Sequence, residues 1–305
     1  MATRVGVIGT GALGQHHVRI LSALPEAELV GIYDLSGERS EEIAARHGCA
    51  IADSFDALAG DIEAAVVAVP TVDHCEIGCN LLERGVHVLV EKPIAIDDRE
   101  AEALIAAAGN RVLAVGHVEY FNPAVQALLG LGLEPGFVEV HRMGVFSPRS
   151  LDIDVVLDLM IHDLQILHAL DPSEVKSIHA VGVRVLSEKT DIASVRLELA
   201  SGCVANLTAS RVSAEKVRKL RVFAPPGYYS LDYQSQKVGG FRLDGDGAER
   251  TLVQQDLSAP HAEPLKRELE DFLAACRGED VPLVDGRQAH RALGTARRVL
   301  EQMAG

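Results

Sequence analysis

Residues 4–14, RVGVIGTGALG, constrain the fold of this chain more than any other stretch. RVGVI has the length and apolar character of a buried strand. The turn that follows places Gly9, Gly11 and Gly14 in a G-x-G-x-x-G pattern, with Ala12 and Leu13 between the last two, and QHHVRILSAL then continues as a helix. Gly9 permits a tight turn, Gly11 lets the backbone approach a pyrophosphate, and Gly14 lets helix and strand pack closely. The amino end of the helix offers N–H groups to the phosphates.

A second strand, ELVGIYD, ends at Asp34, 20 residues past Gly14. In a dinucleotide fold an acidic residue at that place accepts hydrogen bonds from the adenosine ribose. Its charge repels a 2′-phosphate, so the expected cofactor is NAD rather than NADP. Arg39 is the nearby residue that works against this preference. Together these residues, Gly9, Gly11, Ala12, Leu13, Gly14 and Asp34, form the expected dinucleotide cradle.

Alternation continues from there. AAVVAVP, VHVLVE and RVLAVGH are apolar strands, separated by the helical stretches HCEIGCNLLERG and DDREAEALIAAAG. Strands of continuous apolar residues alternating with helices imply a parallel sheet, whose ligands lie beyond the carboxyl ends of its strands. Pro70, Thr71, His74, Glu91 and Lys92 sit at or just past two such ends and are expected beside the cofactor. Lys92, in Glu91-Lys92-Pro93, carries a cation that stabilises negative charge on a reacting oxygen. A surface lysine at a strand end is the plain alternative.

DLMIHDLQIL, residues 158–167, is almost wholly apolar but contains Asp158 and His162 four residues apart. On a helix at about 100° per residue, Asp154, Asp158, His162 and Gln165 share one narrow stripe. That stripe is either the solvent side of an amphipathic helix or a polar edge inside a site. It contains no Lys, Arg or Glu, and an Asp one turn before a His orients the imidazole. Asp158 and His162 are therefore candidate catalytic residues.

After GHVEYFNPA the pattern changes. FVEVHRMGVF, VKSIHAVGVRVL, DIASVRLEL, CVANLTASR and VRKLRVFAP alternate like strands and follow one another without helices, which implies an antiparallel sheet. Two helices close the chain. The domain break is expected near residue 118, giving a nucleotide-binding domain over 1–118 and a substrate-binding and oligomerisation domain over 119–305. The fold class is α/β.

The 29 basic against 44 acidic residues give a net charge of −15, which disfavours nucleic acid and anionic membranes. No apolar run is long enough to span a bilayer, no leader is visible, and the five cysteines lack metal-site spacing. A reduced, cytoplasmic protein without a bound metal is the expectation. In this acidic chain Arg142, Arg149, Arg211, Arg218 and Arg221 gather in the second half. Arg149 and Arg211 are the first candidates to hold a diphosphate in bidentate fashion.

In order and spacing, Gly9-x-Gly11-x-x-Gly14, VPTVDH (69–74), HVLVEKP (87–93) and DLMIHD (158–163) resemble the Gfo/Idh/MocA oxidoreductase family over essentially the whole chain. The resemblance implies a Rossmann domain followed by an α/β domain on a large open, mostly antiparallel sheet. It also implies an active site of Lys92, Asp158 and His162, and a cis Lys92–Pro93 peptide. VGHVEYFNPA, FSPRSLDIDVVLDLMIHD and CVANLTASRVS resemble a narrower branch of the family. Its members oxidise the 3-hydroxyl of UDP-N-acetylglucosamine and supply an aminotransferase in lipid A biosynthesis. By that resemblance Tyr120, Asn122, Arg149 and Arg211, with Lys92 and His162, are substrate-binding candidates. Tyr120 departs from the branch, where Arg is usual, while Asn122 and Pro123 keep its pattern. Oxidation of a simple sugar or inositol, and a cofactor-binding regulatory protein without turnover, are the alternatives. A homo-oligomer, dimer or tetramer, is expected, because DIASVRLEL and CVANLTAS carry apolar residues that a monomer would leave exposed. The helices over 153–169 and 262–304 are the ones available to cover the sheet.

Overall fold

The computed structural model describes residues 2–146, 153–245 and 249–304. They divide into two compact units. The first comprises Met1–Val118 with Leu265–His290, and the second Glu119–Pro264 with Arg291–Gly305.

The first unit holds β1 (Thr3–Ile8), α1 (Gly14–Leu21), β2 (Ala27–Tyr33), α2 (Gly37–His47), α3 (Phe55–Asp61), β3 (Ala64–Val67), α4 (His74–Glu83), β4 (His87–Glu91), α5 (Asp98–Ala108) and β5 (Leu113–Gly116). The five strands pair in parallel in the order β2-β1-β3-β4-β5. Helices cover both faces of such a sheet, and β3 is accordingly buried at every position. Ser36, Ser54 and Asp97 start α2, α3 and α5 by accepting from the third backbone N–H beyond them.

The second unit holds α6 (Pro123–Leu129), β6 (Phe137–Met143), α7 (Ile161–Leu170), β7 (Val175–Val183), β8 (Ile192–Leu199), β9 (Val204–Ser210), β10 (Val217–Ala224), β11 (Gly227–Asp232), β12 (Lys237–Asp244) and β13 (Thr251–Asp256). Its eight strands run β13-β12-β11-β10-β6-β9-β8-β7. Every pair is antiparallel except β6 with β9. Ala193, Val195, Leu197 and Leu199 of β8 and Ala205, Leu207 and Ala209 of β9 point into one core with Ile161, Leu164 and Leu167 of α7. Burying each large side chain there stabilises the unit by roughly 1.5–3 kcal/mol.

That alternation corrects one expectation. The apolar residues of β8 and β9 are already covered, and the outward positions are polar: Ser194, Arg196 and Glu198 are exposed, and Asn206 and Thr208 half-buried. Exposed apolar side chains of this sheet include Val181 on β7 and Phe223, Phe241 and Leu252 at its other end.

A second correction concerns the helix of residues 158–167. It opens with a π-helical turn, Val156–Met160, before α7 begins. A π turn takes in one residue more than an α turn, so the stripe drawn at 100° per residue does not hold through it. Asp154 lies ahead of the helix, and its Oδ1 accepts the N–H of Thr190 at 2.9 Å.

Two helices end the chain, α8 (Pro264–Cys276) and α9 (Gly286–Ala304). Leu269, Phe272 and Leu273 of α8 pack with Val5, Val7 and Leu89 in the core of the first unit. The expectation that α8 covers the second sheet is therefore not met. Its i, i+3, i+4 apolar stripe showed that the helix buries a face, but not against which sheet. Ala292, Ala296 and Val299 of α9 join the second unit's core.

Candidate active site

The glycine turn after β1 is built for close approach. A Cβ on Gly14 would stand 1.9 Å from the Gly9 carbonyl oxygen, and one on Gly9, whose φ is +86°, 2.5 Å from that of Ala68. At Gly11 the corresponding place meets no atom within 4 Å. The first and third glycines thus serve the packing of strand, turn and helix, whereas the second leaves open space. Ala12 and Leu13 are exposed just before α1, which has no side-chain cap at its amino end.

Beside the turn is a cavity of about 460 Å³ lined by Gly9, Gly11, Asp34, Leu35 and Pro70, among others. Asp34 closes β2. Its Oδ2 accepts the Thr10 N–H at 2.6 Å and the Thr10 hydroxyl at 3.0 Å, and its Oδ1 accepts the Ser36 N–H. Burial by itself would raise this carboxyl. The bonds from Thr10 and Ser36 and the Arg39 charge outweigh burial and hold it below the usual carboxylate range. Arg39 donates to the Thr10 carbonyl and to Glu42. Open space at Gly11, an uncapped helix end and an ionised Asp34 at one cavity fit a dinucleotide with a free 2′-hydroxyl.

The ends of β3 and β4 are tied together by His74. It is buried, with one ring nitrogen 3.0 Å from the Pro93 carbonyl and the other 3.0 Å from that of Val69. Burial holds its imidazole below the ordinary range. His74 thus braces two loops and is closed off from direct contact with a ligand. Pro70 is exposed and Thr71 half-buried on the loop that it braces.

Lys92 is half-buried at the end of β4, and the Lys92–Pro93 peptide is cis. Glu91 points the other way, into the interior. Its Oε1 lies 2.7 Å from Nε2 of His17, and its Oε2 accepts the Lys92 N–H at 3.2 Å. His17 was not singled out by the sequence, because it is 74 residues from Glu91 and only the sheet order brings the two together.

In the second unit the polar residues of α7 do not face solvent. His162, Asp163, Gln165 and His168 are all buried, which removes the reading of that helix as an ordinary amphipathic surface. Asp158 is half-buried in the π turn, one turn before His162, and its charge is felt by Arg218 of β10. Asp163 receives two hydrogen bonds from Arg142 of β6, both 2.7 Å. Arg142 also donates to Glu119, which accepts from Arg218 as well, and lies over the Tyr233 ring at 4.8 Å.

Asn122 is buried, donating to the Tyr233 carbonyl and capping α6 by accepting the Ala124 N–H. Tyr120 is half-buried, edge-on to Phe121. Arg211 is buried and donates to the Ile153 carbonyl, with Asp191 3.9 Å away. Its guanidinium braces the approach to the π turn, so the geometry does not favour the diphosphate role expected of it. Arg149 lies outside the described residues. Among those residues no group of three or more His, Cys, Asp or Glu could hold a metal, and no helix is long and apolar enough to cross a membrane.

Comparison with known proteins agrees with this construction. Residues 3–117 match the oxidoreductase family described as having an NAD-binding Rossmann fold, and residues 143–230 match the GFO/IDH/MocA C-terminal domain. The UDP-N-acetylglucosamine 3-dehydrogenase of Acidithiobacillus ferrooxidans is 38% identical, covering 97% of this chain and 96% of its own. A solved structure of that enzyme aligns with a TM-score of 0.92 at 36% identity, over 99% of this chain and 98% of the other. An inositol 2-dehydrogenase of Rhizobium meliloti is 28% identical over 90% of this chain and 89% of its own. The chain belongs to the Gfo/Idh/MocA oxidoreductase family and is an NAD-dependent dehydrogenase.

Proposed function

We propose that this dehydrogenase oxidises the 3-hydroxyl of UDP-N-acetylglucosamine to the 3-keto sugar, with Lys92, Asp158 and His162 at the reacting carbon. The likeness to a UDP-N-acetylglucosamine 3-dehydrogenase over nearly the full length of both chains carries the reading. The first unit holds NAD through the glycine turn and Asp34, and the second unit, residues 119–264 with 291–305, carries the substrate site and the oligomer contacts. His162 takes the hydroxyl proton, imidazole being the side chain most often used as a general base. Asp158, one turn earlier, orients that imidazole and stabilises its protonated form. Lys92 donates to the oxygen as it becomes a carbonyl. Bound NAD supplies the hydride acceptor.

Arg149 is the arginine we assign to the diphosphate, and Tyr120 borders the sugar. Asn122, His74 and Arg211 act through the segments they brace. The protein works in the cytoplasm as a homo-oligomer, dimer or tetramer, with Phe223, Phe241 and Leu252 in the contact, and its product passes to an aminotransferase for lipid A biosynthesis. Light scattering at micromolar concentration tests the oligomer. The second reading, a simple-sugar or inositol dehydrogenase, is favoured by the inositol 2-dehydrogenase likeness and by the engagement of Arg211 with Ile153. NADH formation with each class of substrate separates the two.

A further inference from the structure

One buried acidic pair of the first unit, Glu91 and Glu268, has no part in the reaction proposed above; Glu91 was expected beside the cofactor and instead points inward to His17. Glu268, on the inward stripe of α8, is 1% exposed, and neither carboxyl oxygen has a hydrogen-bond partner in the structure. Its charge environment is Glu91, itself buried at the end of β4. The two carboxyls differ in what surrounds them. Glu91 has His17 of α1 on one oxygen and the Lys92 N–H on the other. Gly116, ending β5, leaves room for it: a Cβ there would stand 2.9 Å from Oε2. Glu268 has none of this.

Two neighbouring buried carboxyls do not both ionise, and the one with donors keeps the charge. Burial would raise the Glu91 carboxyl, but the His17 bond and charge, with Lys92, hold it below its usual range. Burial and then the Glu91 charge push Glu268 well above its own. The other titratable groups around the cluster are His117, after β5, and His74, on α4. Burial and then the Lys92 charge bring His117 down to about 3, so it is neutral. Burial lowers His74 too, against the pull of Glu91.

We propose that Glu91 is a positioning residue for Lys92: a buried carboxylate, braced by His17 and given space by Gly116, that holds the Lys92 backbone N–H and sets its negative charge beside the lysine, with Glu268 behind it as a buried acid that retains its proton. The proposal rests on the reading of Lys92 as the cationic donor in the dehydrogenase reaction. It adds a division of labour between two carboxyls that the reaction itself never touches.

The test uses the full chain with NAD and UDP-N-acetylglucosamine. Wild-type turnover, and its loss in Lys92→Met, test the underlying reading by themselves. In Glu91→Gln the alkaline limb of the kcat profile moves to lower pH by about one unit, the scale of losing one close opposite charge. The acid limb and the NAD dissociation constant, read by fluorescence, stay in place. Gly116→Ala, which presses a methyl group on Oε2, moves the same limb the same way and serves if Glu91→Gln does not fold. Glu268→Gln leaves the limb where it is. Infrared spectra of the wild type at neutral pH show the carbonyl stretch of a protonated carboxyl, and this band is absent from Glu268→Gln. An unmoved alkaline limb in Glu91→Gln and Gly116→Ala, in an enzyme that needs Lys92, overturns the positioning role. Absence of the infrared band from the wild type overturns the assignment of the proton to Glu268.

Discussion

Arg142 grips Asp163 through two parallel hydrogen bonds of 2.7 Å, with both side chains almost fully shielded from water. The pair fastens the first turn of α7 to the middle of the sheet at β6, next to His162. Burial pushes the Asp163 carboxyl up while the Arg142 charge opposes that push. For Arg142 the neighbouring Asp163 and Glu119 charges overcome burial and keep the guanidinium firmly protonated.

Removing one member leaves the other charged and buried. Asp163→Asn or Arg142→Met is therefore expected to cost about 3–5 kcal/mol of stability. Urea unfolding at neutral pH reads the loss. A change below about 1 kcal/mol in either variant would show that the pair does not hold the helix.

Much of this was legible in advance, for local reasons. The strand, turn and helix around Gly9, Gly11 and Gly14 follow from backbone sterics within a dozen residues, and Asp34 from the length of one βα unit. The Asp158 and His162 pair shares one helix. What stayed hidden depends on separation or on choice of partner. Arg142 and Asp163 are 21 residues apart, and Glu91 and His17 are 74 apart. A signal for each did exist. In FVEVHRM, Arg142 holds the inward place after Val138 and Val140, and in α8 Glu268 shares the apolar stripe of Leu265, Leu269 and Phe272. A charged residue on the buried period needs a partner or a proton. The π turn and the engagement of Arg211 with Ile153 had no such signal.

Stability should fall with acid through buried neutral histidines. Burial, followed by the Arg291 charge, brings His168 down to about 4, and His117 lies at about 3. Both folded values lie below the unfolded value near ~6.5, so the unfolded chain binds more protons between them. Their contribution is complete above pH ~6.5 and declines as pH falls from there towards 4, by about 1.4 kcal/mol per pH unit for each residue. His168→Gln, which keeps a polar group near the Thr295 hydroxyl, should flatten the fall of Tm between pH 6.5 and 5. An equally steep fall in the variant would remove His168 from the account.

Asp34→Ser should weaken discrimination against NADP, because the carboxylate that repels a 2′-phosphate is gone. Titration of wild type and variant with both cofactors measures it. A wild type that already prefers NADP would contradict the role given to Asp34.

His162→Asn should lower turnover by roughly 10²- to 10⁴-fold, the usual contribution of a general base. NAD affinity should be retained, since the dinucleotide cradle is built from residues 9–34 and their neighbours. Near-normal turnover across the pH range would transfer the base role to Lys92.

The identity of the substrate separates the nucleotide-sugar reading from the simple-sugar one. NADH absorbance, followed with UDP-N-acetylglucosamine, free N-acetylglucosamine and myo-inositol in parallel, tests it most directly. The uridine diphosphate is remote from the reacting carbon, and its binding energy holds the 3-hydroxyl in place for proton and hydride transfer. NADH should form from the UDP-sugar and hardly at all from the other two. Equal or faster NADH formation with the free sugar or with myo-inositol would contradict the nucleotide-sugar reading.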